Sequence, residues 1–216
     1  TLGRSARQFI DFLAQARQHT WQILPLVPPG SGDSPYMSPS AFAGNPWLLD
    51  LEDFVQRGLL TSEELNAARY PDPDRVNYDW LRKTRPPLLR AAWRRDPLSQ
   101  WPDDIRRREP AAMARWSAEL ADEVDYQVFL QYHFFRQWKD LKDYANQRDI
   151  AIMGDLPIYV SADSVEVWAQ PQLFQMDDDF VPTAVAGVPP DAFSDVGQYW
   201  GNPLYDWERM KRSGYR

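Results

Sequence analysis

The feature that most constrains the fold is a run of apolar residues at helical spacing that leads straight into a strand. Within residues 124–146, Leu130, Phe134, Trp138, Leu141 and Ala145 recur at intervals of four, four, three and four, which puts them on one face of a helix. That helix feeds residues 150–155, an apolar run of strand length closed by Gly154 and Asp155. The same order occurs earlier in the chain. Residues 4–18 place Phe9, Leu13 and Ala16 at helical intervals with Ile10 beside them, and they lead into a strand-length run at 21–27 that Pro25 and Pro28 bring to an end. Helix, strand, insertion, helix, strand implies parallel strands joined by right-handed crossovers. The expected class is therefore α/β, as an open sheet or a barrel, and in both the chemistry gathers at the carboxyl ends of strands.

Around these two passes the chain is punctuated. Residues 28–39, rich in Gly, Ser and Pro, read as an extended loop. Residues 50–119 predict short helices, with Thr61 and Glu64 at capping-box spacing and Pro71, Pro86, Pro97 and Pro102 breaking the runs. The arginines at 106–108 point in different directions on a helix and read as solvated surface. Beyond the second strand, residues 163–169 predict a short helix, and 173–176 with 180–186 predict a hairpin about a turn at 177–179. The three aspartates of that turn lack the Gly and trailing Glu of a calcium loop, so they read as a polar turn. Residues 187–203, dense in Gly, Pro, Asp and aromatics, read as a structured loop over a site.

Composition narrows the partners. A formal net charge of −7 disfavours nucleic acid, whose binding depends on Lys and Arg neutralising phosphates. With no cysteine there is neither a disulfide framework nor a thiolate metal site, which is compatible with a reducing compartment. There is no apolar run of eighteen residues and no signal-peptide core, so the expectation is a soluble, cytoplasmic protein with no membrane partner. Ten Trp, ten Tyr and ten Phe give 14% aromatics, a surplus that suits stacking on the C–H faces of sugar rings and suits core packing equally well. No G-x-G-x-x-G or phosphate loop is present.

Three segments carry a resemblance: GDSPYMSPSAFAGNPWLLDL at 32–51, MGDLPIYVSADSVEVWAQPQLF at 153–174 and VAGVPPDAFSDVGQYWGNPLYDW at 185–207. In order and spacing they resemble the 4-alpha-glucanotransferases of the amylomaltase or disproportionating-enzyme type, glycoside hydrolase family 77. The stretch from 53 to 118 agrees mainly in pattern. The resemblance implies part of a (β/α)8 barrel, with this chain supplying the second and third strands and a mainly helical insertion. Residues 1–49 would be a barrel helix, strand and substrate loop, 50–119 the inserted subdomain, and 120–216 a barrel helix, strand and active-site loop. It also implies a retaining transfer of alpha-1,4-glucan segments between maltooligosaccharides or starch chains, a reaction expected to need no cofactor and no metal. The R-x-D-H-F-x-G segment that holds the family's nucleophilic aspartate does not occur in these residues, and His19 and His133 stand in other contexts. The acid/base glutamate is expected on a later strand. An alpha-amylase-like hydrolase and a non-catalytic glucan-binding module are the alternatives.

The resemblance also assigns residues. Asp155, at the end of the second predicted strand, would be a supporting carboxylate beneath the cleaved sugar, although an aspartate there can also simply cap a turn. Tyr36 would stack on the donor sugar with Ser34 offering a hydroxyl beside it, or else fold onto the barrel rim. Met37 and Pro39 depart from the Gln and Phe that many members carry. Asp191, Phe193, Gln198 and Trp200 would contact the acceptor side from the loop that arches over the glucan. Asn202 reads as a turn-former ahead of Pro203, and Trp168, Phe174 and Trp207 read as core.

Overall fold

The structure, a computed structural model, describes residues 1–72, 74–96 and 120–215, so the arginines at 106–108, Pro97 and Pro102 lie outside the described residues. Two compact units emerge: Thr1–Trp21 with Gly44–Met153, and Gln22–Ala43 with Gly154–Arg216.

In the first unit the helices are α1 (Arg4–Gln15), α2 (Leu51–Gln56), α3 (Ser62–Ala67), α4 (Tyr78–Arg95) and α5 (Ala121–Asn146). The expected stripe on α5 is buried at Leu130, Phe134, Leu141 and Ala145, with Trp138 half-buried. Apolar periodicity could not reveal that Gln137 and His133 are buried there too. Gln137 earns its place by mimicking a strand neighbour: its Oε1 accepts from the Asp50 amide at 2.7 Å while its Nε2 donates to the Asp50 carbonyl at 3.1 Å. Gln131, on the same helix, makes the same pair of bonds with Gly44, at 2.7 and 3.0 Å. On α1, Ile10 and Leu13 are buried, whereas Phe9 stays exposed and meets Trp21 edge-on at 5.2 Å.

Pro86 does not break its helix. Pro86 and Pro87 both lie inside α4, which runs on to Arg95. A proline cannot donate to the carbonyl four residues before it, and at Pro86 and Pro87 those positions are Arg82 and Lys83, both exposed residues. The helix has tertiary anchors: Leu89 and Ala92 are buried, and Arg85 donates to the Leu49 carbonyl at 2.7 Å. The capping box at α3 forms as expected, and Arg95 clamps Glu64 with two bonds of 2.7 Å. Those contacts hold the Glu64 carboxyl down at about 2, chiefly through Arg95 and then the Thr61 amide.

The strands are shorter than expected. β1 (Thr20–Gln22) and β2 (Ala151–Met153) are hydrogen-bonded neighbours in one sheet, and the Ala151 amide donates to the His19 carbonyl at 2.8 Å.

The second unit is loop-rich. A core of Val160, Val167 and Phe174 gathers Ala41, Leu173, Met176 and Tyr205 around it. Helix α6 (Val165–Ala169) is capped by the buried Ser164, and α7 (Trp207–Arg212) by Asp206. The expected hairpin about 177–179 is present in short form: Met176 and Pro182 form an antiparallel bridge, the Asp177 amide donates to the Val181 carbonyl at 3.0 Å and the Thr183 amide to the Gln175 carbonyl at 2.9 Å, and Asp177 Oδ1 takes the amides of Asp179 and Val181 to close a tight polar turn. The segment expected to be a loop contains a second, longer hairpin. β3 (Val185–Val188) pairs antiparallel with β4 (Gln198–Pro203), Gly187 opposite Tyr199 and Val188 opposite Gln198, with an irregularity between Val185 and Gly187. Phe174 is core as expected. Trp168 and Trp207 are not: they are 78% and 60% exposed, Trp168 lining an open groove with Phe180. Among the described residues no helix is long and apolar enough to cross a membrane.

Candidate functional site

The loop that carries Tyr36 is held at almost every residue. Gly30 donates to the Ser34 carbonyl at 3.0 Å, and the Ser34 hydroxyl accepts from the Tyr36 amide at 3.2 Å to start a single 3-10 turn, Pro35–Met37. Gly30 is required by space: a Cβ there would stand 1.6 Å from the Met37 carbonyl oxygen. Further along, the Val165 amide donates to the Pro39 carbonyl at 2.9 Å. Glu166 Oε1 accepts from the Ser40 hydroxyl at 3.0 Å and the Ala41 amide at 2.9 Å, and its buried Oε2 has no hydrogen-bond partner among the described residues.

Held in this way, Tyr36 donates its hydroxyl to Asp155 Oδ2 at 2.6 Å, a bond between residues 119 positions apart. The bond favours the protonated phenol and is the main reason that the Tyr36 pKa lies above its ordinary value. Tyr36 remains 43% exposed and Asp155 is exposed as well, so both stay open to a ligand.

A second cluster forms around β4. The Trp200 indole donates to Gln198 Oε1 at 3.0 Å and lies edge-on to Tyr159 at 6.4 Å. Tyr159 stacks on Tyr205 at 6.1 Å, and Tyr205 on Phe174 at 5.3 Å, so a ladder of rings runs from the hairpin into the core. Burial chiefly, and the Glu166 charge next, raise the Tyr205 pKa.

The residues expected at the site thus fall into two groups. Tyr36 and Asp155 meet directly, with Ser34 capping the turn beneath Tyr36, and Gln198 and Trp200 meet each other. Asp191 Oδ1 accepts from the amides of Phe193 and Ser194 at 2.8 and 2.9 Å and so shapes the tip of the hairpin loop. Phe193 stands on that tip 94% exposed. Asn202 is a cross-link where a turn-former was expected. It is 4% exposed within β4, and its Nδ2 donates to the Val160 carbonyl at 2.9 Å and toward Met37 Sδ at 3.6 Å. Tyr159, Tyr205 and Glu166 were not singled out from sequence, although all three sit inside the matched segments.

A mixed α/β chain whose site-bearing loops are ordered in this way is of the amylomaltase structural class: the amylomaltase from Streptococcus agalactiae in complex with acarbose superposes with a TM-score of 0.86 at 40% identity, over 99% of this chain and 51% of that one. The chain belongs to the 4-alpha-glucanotransferase family, whose profile matches residues 1–99 and 94–216. Among its relatives, the 4-alpha-glucanotransferase of Synechocystis is 43% identical over 99% of this chain and 50% of its own length, and that of Thermus thermophilus 41% identical over 99% and 50%. The amylomaltase of Corynebacterium glutamicum, at 18% identity and a TM-score of 0.71, shares the fold. The chain spans about half the length of these closer relatives.

Proposed function

We propose that this chain forms the substrate-contacting part of a retaining 4-alpha-glucanotransferase that moves alpha-1,4-glucan segments between maltooligosaccharides or starch chains in the cytoplasm. The observation that carries the reading is the bond of 2.6 Å from Tyr36 to Asp155, which joins the proposed donor loop to the proposed supporting carboxylate. In this reading β1 and β2 are the second and third strands of a (β/α)8 barrel, so Asp155 follows a strand at the end where barrel enzymes keep their chemistry.

The reaction is a double displacement: one carboxylate attacks the anomeric carbon to give a glycosyl-enzyme, and a second protonates the leaving oxygen and later deprotonates the acceptor hydroxyl. In this reading those two groups are not among the 216 residues of this chain, so the isolated chain is expected to be inactive. Asp155 orients the charge around the cleaved sugar and holds Tyr36. Tyr36 offers its ring to the donor sugar, with the Ser34 hydroxyl beside it. Gln198 and Trp200, with Asp191 and Phe193 on the loop tip, face the acceptor. Transfer requires a sugar hydroxyl to outcompete water at the glycosyl-enzyme, and an aromatic hairpin that covers the site favours the sugar. The S. agalactiae relative in complex with acarbose supports a glucan-like ligand.

The test is to incubate the complete protein with maltotriose and follow the products. Glucose together with maltooligosaccharides longer than the substrate supports transfer. Shorter products alone, with reducing ends rising, would make the protein a hydrolase, and binding without products would make it a glucan-binding module.

A further inference from the structure

We infer that Asn202 is a positioning residue that fixes the acceptor hairpin relative to the donor loop, an inference that rests on the function proposed above. β4 divides sharply along its length: Gln198, Tyr199 and Trp200 are exposed, while Asn202 and Pro203 are buried. Gly201 lies between them at φ +78°, in the left-handed region, where the strand changes from its projecting half to its anchored half. The anchored half has one polar side chain, and both of its contacts go to segments that carry site residues. The bond of 2.9 Å from Nδ2 to the Val160 carbonyl reaches the residue after Tyr159, whose ring faces Trp200. The contact of 3.6 Å from Nδ2 to Met37 Sδ reaches the residue after Tyr36. A single amide inside β4 therefore ties the strand that carries Trp200 to the backbone beside Tyr159 and to the side chain beside Tyr36.

Asparagine suits this duty. Its two N–H groups diverge from one nitrogen, so one side chain can satisfy two acceptors, and burial keeps water from competing for either. The acceptors differ in strength, a carbonyl against a thioether, so the tie to Val160 is firm and the tie to Met37 is soft. The hairpin root is consequently fixed to the core cluster through Val160, and the donor loop is registered to that root through Met37. Asn202 need not touch the glucan to act: a displacement of about 1 Å in the groups that seat a substrate costs on the order of 100-fold in rate.

The experiment compares Asn202→Leu, Met37→Leu and Val167→Ala with wild type in the complete protein, measuring the thermal midpoint, the KM for donor and for acceptor, and the ratio of transfer to hydrolysis on maltotriose. Leucine fills the asparagine site but donates nothing, and Val167→Ala loosens the same core without touching the tie. The expected result is that Asn202→Leu lowers the transfer-to-hydrolysis ratio by about tenfold and raises the acceptor KM, whereas Val167→Ala loses stability with the ratio unchanged. Met37→Leu, which conserves volume and removes only the sulfur acceptor, is expected to raise the donor KM by about twofold, and it carries the test if Asn202→Leu does not fold. If both leucine variants keep the wild-type ratio and both KM values, or if Val167→Ala shifts the ratio as far as Asn202→Leu does, the positioning role is overturned. A wild-type protein that makes no longer maltooligosaccharides would instead overturn the proposed function itself.

Discussion

Gly30→Ala probes the donor loop where its geometry leaves least room. The added Cβ would lie 1.6 Å from the Met37 carbonyl oxygen, and an ordinary contact begins near 3.4 Å, so about 1.8 Å of relief has to be found. The obstacle is backbone, which cannot swing aside as a side chain would. The loop has to move as a body, and overpacking of this kind costs about 1–3 kcal/mol. For a chain of this length that corresponds to a loss of about 2–12 °C in the thermal midpoint. Tyr36 precedes Met37, so a shift of even half the required size breaks a hydrogen bond of 2.6 Å to Asp155. In the complete protein transfer activity is then expected to fall by roughly 100-fold. The control is Gly154→Ala, where a Cβ meets nothing within 4 Å, and it is expected to melt and react as wild type does. Both measurements are simple: a thermal melt of the 216-residue chain and a maltotriose assay of the complete protein. A Gly30→Ala variant indistinguishable from Gly154→Ala would refute the claim that the turn at Tyr36 depends on this close approach.

Two further predictions concern stability. Glu64→Gln retains an oxygen for the capping box but loses the charge that Arg95 clamps. The folded carboxyl titrates near 2 against an ordinary 4.5, a depressed pKa, so its stabilising contribution is full above about 4.5 and is lost as the pH falls through 2. The difference in thermal midpoint between wild type and the variant should therefore be constant at neutral pH and close between pH 4.5 and 2; a gap that stays constant to pH 2 would contradict the clamp. Phe54→Ala removes a fully buried ring that meets Phe129 at 5.7 Å and His133 at 4.8 Å, and it is expected to cost about 3–5 kcal/mol in denaturant unfolding. A loss below about 1 kcal/mol would mean that this part of the core is not packed as described.

What could be read from the sequence, and what could not, follows from the range of the interactions involved. The α5 stripe and the capping box at Thr61 depend on residues within one or two turns of each other, so spacing is enough to find those helices, whereas the six-residue α7 carries too short a pattern to be read. Gln131 and Gln137 look like solvent-facing residues until the backbone of Gly44 and Asp50, 87 positions away, is brought against them. The same holds for Asn202, whose acceptors are 42 and 165 positions away. The hairpin of β3 and β4 is not legible in the sequence because Gly, Pro and Asp dominate 187–203, and the pairing of Val188 with Gln198 depends on a loop whose order comes from Asp191 and Ser194 side chains. At the site, motif residues pointed to Tyr36 and Asp155, and only coordinates could supply their bond or the ring ladder through Tyr159 and Tyr205. Pro86 lies inside a helix against expectation because propensity describes an isolated helix, and α4 is anchored by the packing of Leu89 and Ala92.

Whether Tyr36 serves the donor sugar and Trp200 the acceptor is decided by a pair of steady-state titrations on the complete protein. Tyr36→Ala and Trp200→Ala are each assayed with donor varied at saturating acceptor and then with acceptor varied at saturating donor. Trp200→Ala is expected to raise the acceptor KM and to lower transfer relative to hydrolysis more than Tyr36→Ala does, while Tyr36→Ala acts mainly on the donor side. Equal effects of the two substitutions on both titrations would contradict that assignment.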